Sequence, residues 1–476
     1  MINENVLAER YATNKIKDIF SERGKIILER ELWLAVMGAM KKLGVKIPAS
    51  DIKKFKETKG KINLALIKKI EKKTRHDIKA KIEAYIIAAK AGEHVHKGMT
   101  SRDLTDNVEQ VQIKRAAEII FGKYVSVLRH FIDKAKLYRP IIITARTHHQ
   151  PAQPTLLGRR FSMWAEELAF HLENFEHFLA NYPMRGIKGP VGTQFDMLNL
   201  LGDQVKVYDL EIKVAEKMGF YTILNSPGQV YPRSLDYALL SHLAILSSAC
   251  ENFTKTIRLM AGHELVTEGF KKGQVGSSAM PHKMNTRSSE RICSLAELLK
   301  TYANGGSRLS GDQWEEGDVS CSAIRRTIIP DAFYASDGLC ETTLTVLNEM
   351  GAYPSMIKAE LGHYLPFLAT TKILMEAVKK GIGRETAHKI IKKYAVAEAL
   401  RIREAGSKEN CLAEKLAMDP IFAEKGITKD FIEKILSDKL HFVGNASGQI
   451  DAVDSNVQNI FIRYIIEAKY EPEEIL

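Results

Sequence analysis

A chain of 476 residues, 45% hydrophobic and 27% charged, is too long for one compact core and has the make-up of a soluble globular protein. Its five cysteines form no C-x-x-C pair, which argues against a disulfide framework or a zinc knuckle and fits reduced thiols. No uninterrupted run of about 18 apolar residues predicts a membrane span, and Met1-Ile2-Asn3-Glu4 opens no signal peptide, so a cytoplasmic protein is expected.

The formal charge of +11 suits either nucleic acid or small anionic substrates. The N-terminal lysines alternate with apolar positions, as in "DIKKFKETKGKINLALIKKIEKK", the pattern of solvated faces on amphipathic helices. No helix-turn-helix, zinc-finger or RNP-type signature accompanies them, so nucleic acid is not the expected ligand.

In chain order, this small N-terminal helical region runs to "AGEHVHKGMTSRD" (91–103), where the composition changes. A body of long helices follows, predicted over Thr105–Tyr138, Leu156–Ala180, Ser234–Ala261, Arg287–Asn304 and Ala323–Met350. The segment Ser234–Ala261 contains no Gly or Pro and is long enough for roughly 42 Å of helix. Within it Leu239, Leu243, Leu246, Cys250, Phe253, Ile257 and Met260 recur at alternating spacings of four and three, a narrow seam for near-parallel neighbours. Helices of this length predict a bundle whose seams are shared between subunits. Strand-like alternation is scarce, and "RPIIITAR" (139–146) is the best short case. "GAYPSMI" (351–357) marks the passage to shorter helices. The expected division is an N-terminal helical domain over 1–98, a central long-helix domain over 99–350 and a C-terminal helical domain over 351–476.

The loops between these helices are rich in groups that can touch an anion. In "HKGMTSRDLTDN", Thr100 to Asp103 fits a capping box with Thr100 as N-cap. A cap alone explains Thr100, yet a helix N-terminus with the hydroxyls of Thr100 and Ser101 is also an anion site. In "ARTHHQPAQPT" (145–155), Pro151 and Pro154 exclude a helix interior, so His148, His149, Gln150 and Gln153 belong to a loop or extended strand. Adjacent histidines in an extended segment point to opposite sides, which leaves one of them to face a given pocket as a proton donor. His94-x-His96 and His148-His149 raise zinc as an alternative, but no H-E-x-x-H or C-x-x-C spacing supports it and no metal is expected.

The segment "GQVGSSAMPHKMNTRSSER" (273–291) is not a Walker A loop, because Lys283 follows His282 rather than a glycine. For a plain linker it is oddly furnished. Gly276 frees the backbone, Ser277 and Ser278 offer hydroxyls, and Lys283 and Asn285 add a charge and an amide. A loop that closes over an anionic substrate needs such parts. In "WEEGDVSCSAIRR" (314–326), Ser322 and Arg326 stand four apart on one helix face and can grip one phosphate or carboxylate. A salt-bridged surface helix is the plain alternative.

Together these stretches resemble the fumarase/aspartase superfamily. "GSSAMPHKMN" is similar to its G-S-S-x-x-M-P-x-K-x-N loop. "ERYAT", "TRHD" (74–77), "MTSRDLTDN", "THHQPAQPT", "PGQVYPR" (227–233), "RSSER" and the S-x-x-x-R at 322–326 follow in the order of its adenylosuccinate branch, over essentially the whole chain. The resemblance implies an all-α, three-domain fumarase/aspartase-like fold whose central long-helix bundle is shared in a homotetramer, each site being drawn from three subunits. It implies no cofactor, no nucleic acid and no membrane partner. The implied reaction is β-elimination of fumarate from adenylosuccinate, and from the succinylated imidazole carboxamide ribotide (SAICAR).

Such an elimination needs a base beside a carboxylate-bearing carbon, cations and donors around the dianion that forms, and an acid for the leaving amine. By the family's pattern Ser277 is the base and His148 the acid, with Lys283 stabilising the serine oxyanion; His76 joins this catalytic set from the nucleotide side. Arg10, Tyr11, Arg75, Asp77, Gln229, Arg291, Ser322 and Arg326 are implied on the nucleotide. Thr100, Ser101, Thr147, Lys283 and Asn285 are implied on the succinyl carboxylates.

This chain departs from the pattern at three places. The loop reads Asn285-Thr286 where Asn-Pro is usual, losing a rigid φ at the helix start. Gly317 stands where arginine is common, and His149 where an aromatic is common. Another lyase of the superfamily, of argininosuccinate lyase or carboxymuconate cycloisomerase type, is disfavoured by Arg75-His76-Asp77 and by Ser322 with Arg326. A catalytically silent structural homologue finds support only in Gly317 and Thr286.

Overall fold

The lysine-rich start folds as the expected run of helices: α1 (Val6–Tyr11), α2 (Asn14–Phe20), α3 (Glu22–Lys42), α4 (Ala49–Glu57), α5 (Leu64–Thr74) and α6 (Asp77–Ala89). Asn5 caps α1, its side-chain oxygen accepting from the Leu7 and Ala8 N–H groups. The computed structural model describes residues 5–269, 280 and 282–474. Gly276, Ser277 and Ser278 lie outside these residues.

The long-helix body comprises α7 (Ser101–Leu137), α8 (Leu157–Ala180), α9 (Phe195–Leu201), α10 (Gln204–Met218), α11 (Ser234–Gly262), α12 (Arg287–Ser307) and α13 (Ser322–Glu349). The five predicted long helices are α7, α8, α11, α12 and α13, with ends shifted by about one turn at most. Every residue of the Leu239-to-Met260 seam is buried, but against α8, α12 and α13 of the same chain. The seam is thus filled without a second subunit, unlike the sharing expected from helix length. α13 runs through Pro330, which has no N–H to offer the Arg326 carbonyl one turn back.

Two short antiparallel pairs interrupt the helices. β1 (Ile142–Thr147) and β2 (Gln150–Leu156) form a hairpin, and β3 (Val266–Thr267) pairs with β4 (Gly351–Ala352). The prolines of β2 are tolerated because a two-stranded sheet has only edges. Shorter helices follow as expected: α14 (Pro354–Leu368), α15 (Thr370–Lys379), α16 (Arg384–Ala405), α17 (Leu412–Ala417), α18 (Pro420–Glu424), α19 (Lys429–Ser437) and α20 (Ala446–Arg463). Their own apolar cluster reaches from Ala369 to Ile432, whereas α20 returns to the main core through Ile450, Val457 and Phe461. Among the described residues no helix is long and apolar enough to cross a membrane.

Candidate active site

The first three turns of α7 carry a ladder of buried or part-buried acids, and each acid fixes a different piece of the site. Asp103 is fully buried; one of its oxygens accepts the Thr100 N–H at 2.8 Å, which is the capping interaction expected. The other takes Arg185 Nη1 at 2.6 Å and the Lys188 and Gly189 N–H groups at 2.9 and 3.0 Å. Asp103 is therefore fully occupied, and the first N–H groups of α7 lie at a helix start, where the preceding turn offers them no carbonyl.

One turn on, Asp106 accepts from Arg102 at 3.0 Å, Arg233 at 3.1 Å and the Tyr231 N–H at 3.2 Å. This ties down the turn that carries Gln229, whose N–H also donates to the Glu316 carbonyl at 2.6 Å. Gly317 next to it holds φ +144°, and a Cβ there would come within 3.1 Å of Val230 and 3.3 Å of Gln229. An arginine at 317 would not fit this backbone, so the departure at this position extends to its conformation.

A further turn on, Glu109 pairs with Arg325 at 2.7 Å and Lys25 at 3.3 Å, while Arg325 Nε reaches Asp236 at 2.6 Å. Burial would raise the Glu109 carboxyl, but Arg325 and Lys25 outweigh it and hold it down at about 2. Ser322 and Arg326 flank Arg325 and border one cavity of ≈ 170 Å³ together with Lys25 and Glu109. The four-residue spacing does place hydroxyl and guanidinium together. Arg325 is the salt-bridged residue; Arg326 is exposed and has no ion-pair partner among the described residues.

Arg75, His76 and Asp77 form the exposed junction of α5 and α6. Arg75 takes a left-handed conformation with φ 53°, and His76 caps α6 by accepting the Lys79 N–H on Nδ1 at 3.2 Å. A neutral ring that accepts at Nδ1 carries its proton on Nε2. The junction lies close to the loop before Thr100: burial first, opposed by Asp103 and aided by the neighbouring His76 ring, pushes His96 down to about 4. His96 accepts from Trp33 Nε1 at 3.1 Å, and His94 lies 3.3 Å from Asp51, so these two histidines have separate partners.

At the far end of the body, His148 and His149 are the two central residues of the hairpin turn, with Thr147 opposite Gln150. Their φ values are 50° and 60°, both left-handed, so of the loop and the extended strand expected the two histidines take the loop and Gln150 and Gln153 the strand. A type I′ two-residue hairpin demands positive φ at both positions and usually takes Asn-Gly; two histidines there carry strain. His149 leans on His263, with Nε2 atoms 3.4 Å apart. His148 is exposed and bonds to no other described residue.

Asn285, with His282 and Thr286, borders a second cavity of ≈ 400 Å³ that also takes in Glu268 and Tyr353. Lys283 beside it is exposed. The missing proline at 286 does not prevent α12 from starting at Arg287. Glu268 caps it from a distance, accepting the Ser288 and Ser289 N–H groups at 3.0 and 2.9 Å. Nearer mid-body, the Arg291 guanidinium lies 5.4 Å from the centre of the Tyr11 ring. Arg10 is exposed one residue earlier.

These groups do not meet within one chain. α11 has 29 residues, about 43 Å long; Asp236 at its start belongs to the Arg325 cluster, while His263, just past its end, touches the hairpin turn. His148 thus stands roughly 40 Å from Thr100, Ser322 and Arg326. Asp103, Asp106, Glu109, Arg325 and Glu268 were not singled out from the sequence as site-building residues. The spacing of three between the acids of α7 was the available signal for the first of them.

A lyase family profile matches residues 10–297, and a profile described as the adenylosuccinate lyase C-terminus matches residues 366–453. The chain is 34% identical to the adenylosuccinate lyase of Schistosoma mansoni over 94% of its own length and 93% of the relative's. It is 34% identical to that of Saccharomyces cerevisiae over 95% and 94%. Among solved structures, the 3-carboxy-cis,cis-muconate lactonizing enzyme of Pseudomonas putida superposes with a TM-score of 0.80 over 97% of this chain and all of that one, at 17% identity. A Mesorhizobium fumarate lyase superposes with a TM-score of 0.78 over 94% and 98%, at 19% identity. At such identities these two structures speak for the fold alone.

Proposed function

The chain belongs to the adenylosuccinate lyase family, and from that premise we propose that it eliminates fumarate from adenylosuccinate to leave AMP, and from SAICAR to leave AICAR. The observation that carries this reading is the likeness to adenylosuccinate lyases along nearly the whole chain, C-terminal region included.

In the reaction a C–N bond breaks, a proton leaves the neighbouring carbon and a C=C bond forms. Ser277 takes that proton, with Lys283 stabilising its oxyanion. Thr100, Ser101 and the free N–H groups at the start of α7 hold the succinyl carboxylates, joined by Thr147, Lys283 and Asn285. His148 protonates the departing nitrogen; its exposure and lack of an internal partner suit a group that meets ligand outside its own chain. Arg10, Tyr11, Arg75, His76, Asp77, Gln229 and Arg291 receive the nucleotide, and Ser322 with Arg326 takes its phosphate.

The distance between the hairpin turn and Thr100 supports a homotetramer in which neighbouring chains complete each site, because no side-chain movement spans it. The described cysteines are all free, which suits a cytoplasmic enzyme. The test is the ultraviolet assay of purified protein with adenylosuccinate: fumarate and AMP are expected, and their absence would overturn the reading.

A further inference from the structure

Beneath the hairpin, between α8 and the end of α11, lies a cavity of ≈ 290 Å³ that the proposed elimination does not use. Basic groups reach it from several elements: Arg146 from β1, His149 from the turn, Arg160 from α8 and His263 from just beyond α11. One acid approaches them. Glu360 of α14 pairs with Arg146 at 2.5 Å.

Arg160 has no carboxylate of its own. Its guanidinium meets the Met260 sulfur at 3.0 Å and the Thr144 carbonyl at 3.5 Å, which leaves most of its N–H donors without an oxygen. Burial lowers it to about 10, Glu360 opposing and Arg146 adding to the effect. A partly desolvated cation with most of its donors unpaired costs free energy.

We propose that this cavity binds a small oxyanion, a phosphate or a carboxylate, held by Arg160, with His149 and His263 closing over it. One such ligand would neutralise the cation and accept from its unpaired N–H groups. The volume lies at the small end of ligand sites, about 300–1,000 Å³, as suits an ion of a few heavy atoms. The site is distinct from the Ser322 and Arg326 cavity, which lies at the opposite end of α11.

Because inorganic phosphate also suits that other cavity, calorimetric titration is done on the full-length Arg326→Ala protein. Phosphate should still bind saturably at one site per chain; fumarate, which also enters the proposed catalytic site, should bind at two sites per chain if the cavity takes carboxylates and at one if it takes phosphate alone. Adding Arg160→Gln should weaken binding in the cavity by at least about tenfold. If Arg160→Gln does not fold, His263→Gln, at an exposed position, takes its place and should also weaken binding. The proposal is overturned if phosphate does not saturate Arg326→Ala and fumarate binds at a single site per chain, or if phosphate binding and the second fumarate site are unchanged by the substitution used.

Discussion

Glu109 on α7 and Arg325 on α13 meet at 2.7 Å, and the residue after Arg325 is the arginine proposed to take the phosphate. One ion pair thereby sets where Arg326 can point. The pair also responds to acid. A carboxyl held below its unfolded value of about 4.3 contributes stability that is complete above that value and lost as pH falls through the folded value. Glu109→Gln should cost on the order of 3 kcal/mol near neutral pH, and the gap in Tm from the parent should narrow below about pH 4. Thermal melts across pH check this; a gap that is constant or widens in acid contradicts it.

Arg326→Ala should raise KM about tenfold or more while kcat falls less, because a charge-assisted phosphate contact acts on ground and transition states alike. Steady-state kinetics decide. A fall in kcat alone would remove Arg326 from the binding set.

His148→Gln should lower turnover by about 10²–10⁴ without changing the oligomer, and His149→Gln should leave turnover near normal. The opposite pattern would assign the acid to His149.

If sites are completed between chains, inactive His148→Gln and His76→Gln proteins, unfolded and refolded together, should regain activity. With random mixing about a quarter of the sites receive both native side chains from a symmetric assembly. Refolded mixtures no more active than the separate variants would mean that each chain builds its own site.

Gly338→Ala should displace Tyr11, since a Cβ there would come within 2.6 Å of the Tyr11 Cβ and 2.8 Å of its carbonyl oxygen. Overpacking of this kind costs about 1–3 kcal/mol, and KM should rise along with the fall in Tm. An unchanged KM would argue that Tyr11 does not touch the nucleotide.

The long helices were legible because each carries its period within itself: the Leu239-to-Met260 seam specifies a buried stripe whatever covers it. The cover was not legible, and it proved to be α8, α12 and α13 of the same chain. The cap at Thr100 was readable from its neighbour Asp103, whereas Glu268 capping α12 from twenty residues away was not. The spacing of Ser322 and Arg326 foretold their shared cavity. Nothing local distinguished Arg326 from Arg325, whose partners Glu109 and Asp236 come from other helices. The left-handed histidines were missed for a similar reason, since His-His is not a turn signature and the two flanking strands impose the conformation.

α7, at 37 residues, acts as a gauge block. Each residue inserted into it would move one end about 1.5 Å from the other and rotate it by about 100°. The acid ladder of Asp103, Asp106 and Glu109 would then lose register with Arg185, Arg233 and Arg325 on whichever side the insertion fell. Substitutions along the rod can be absorbed one side chain at a time, but a change in its length cannot be absorbed locally. An inserted residue is therefore absorbed more readily in a loop than in α7, which behaves as a fixed unit of measure for any assembly built on it.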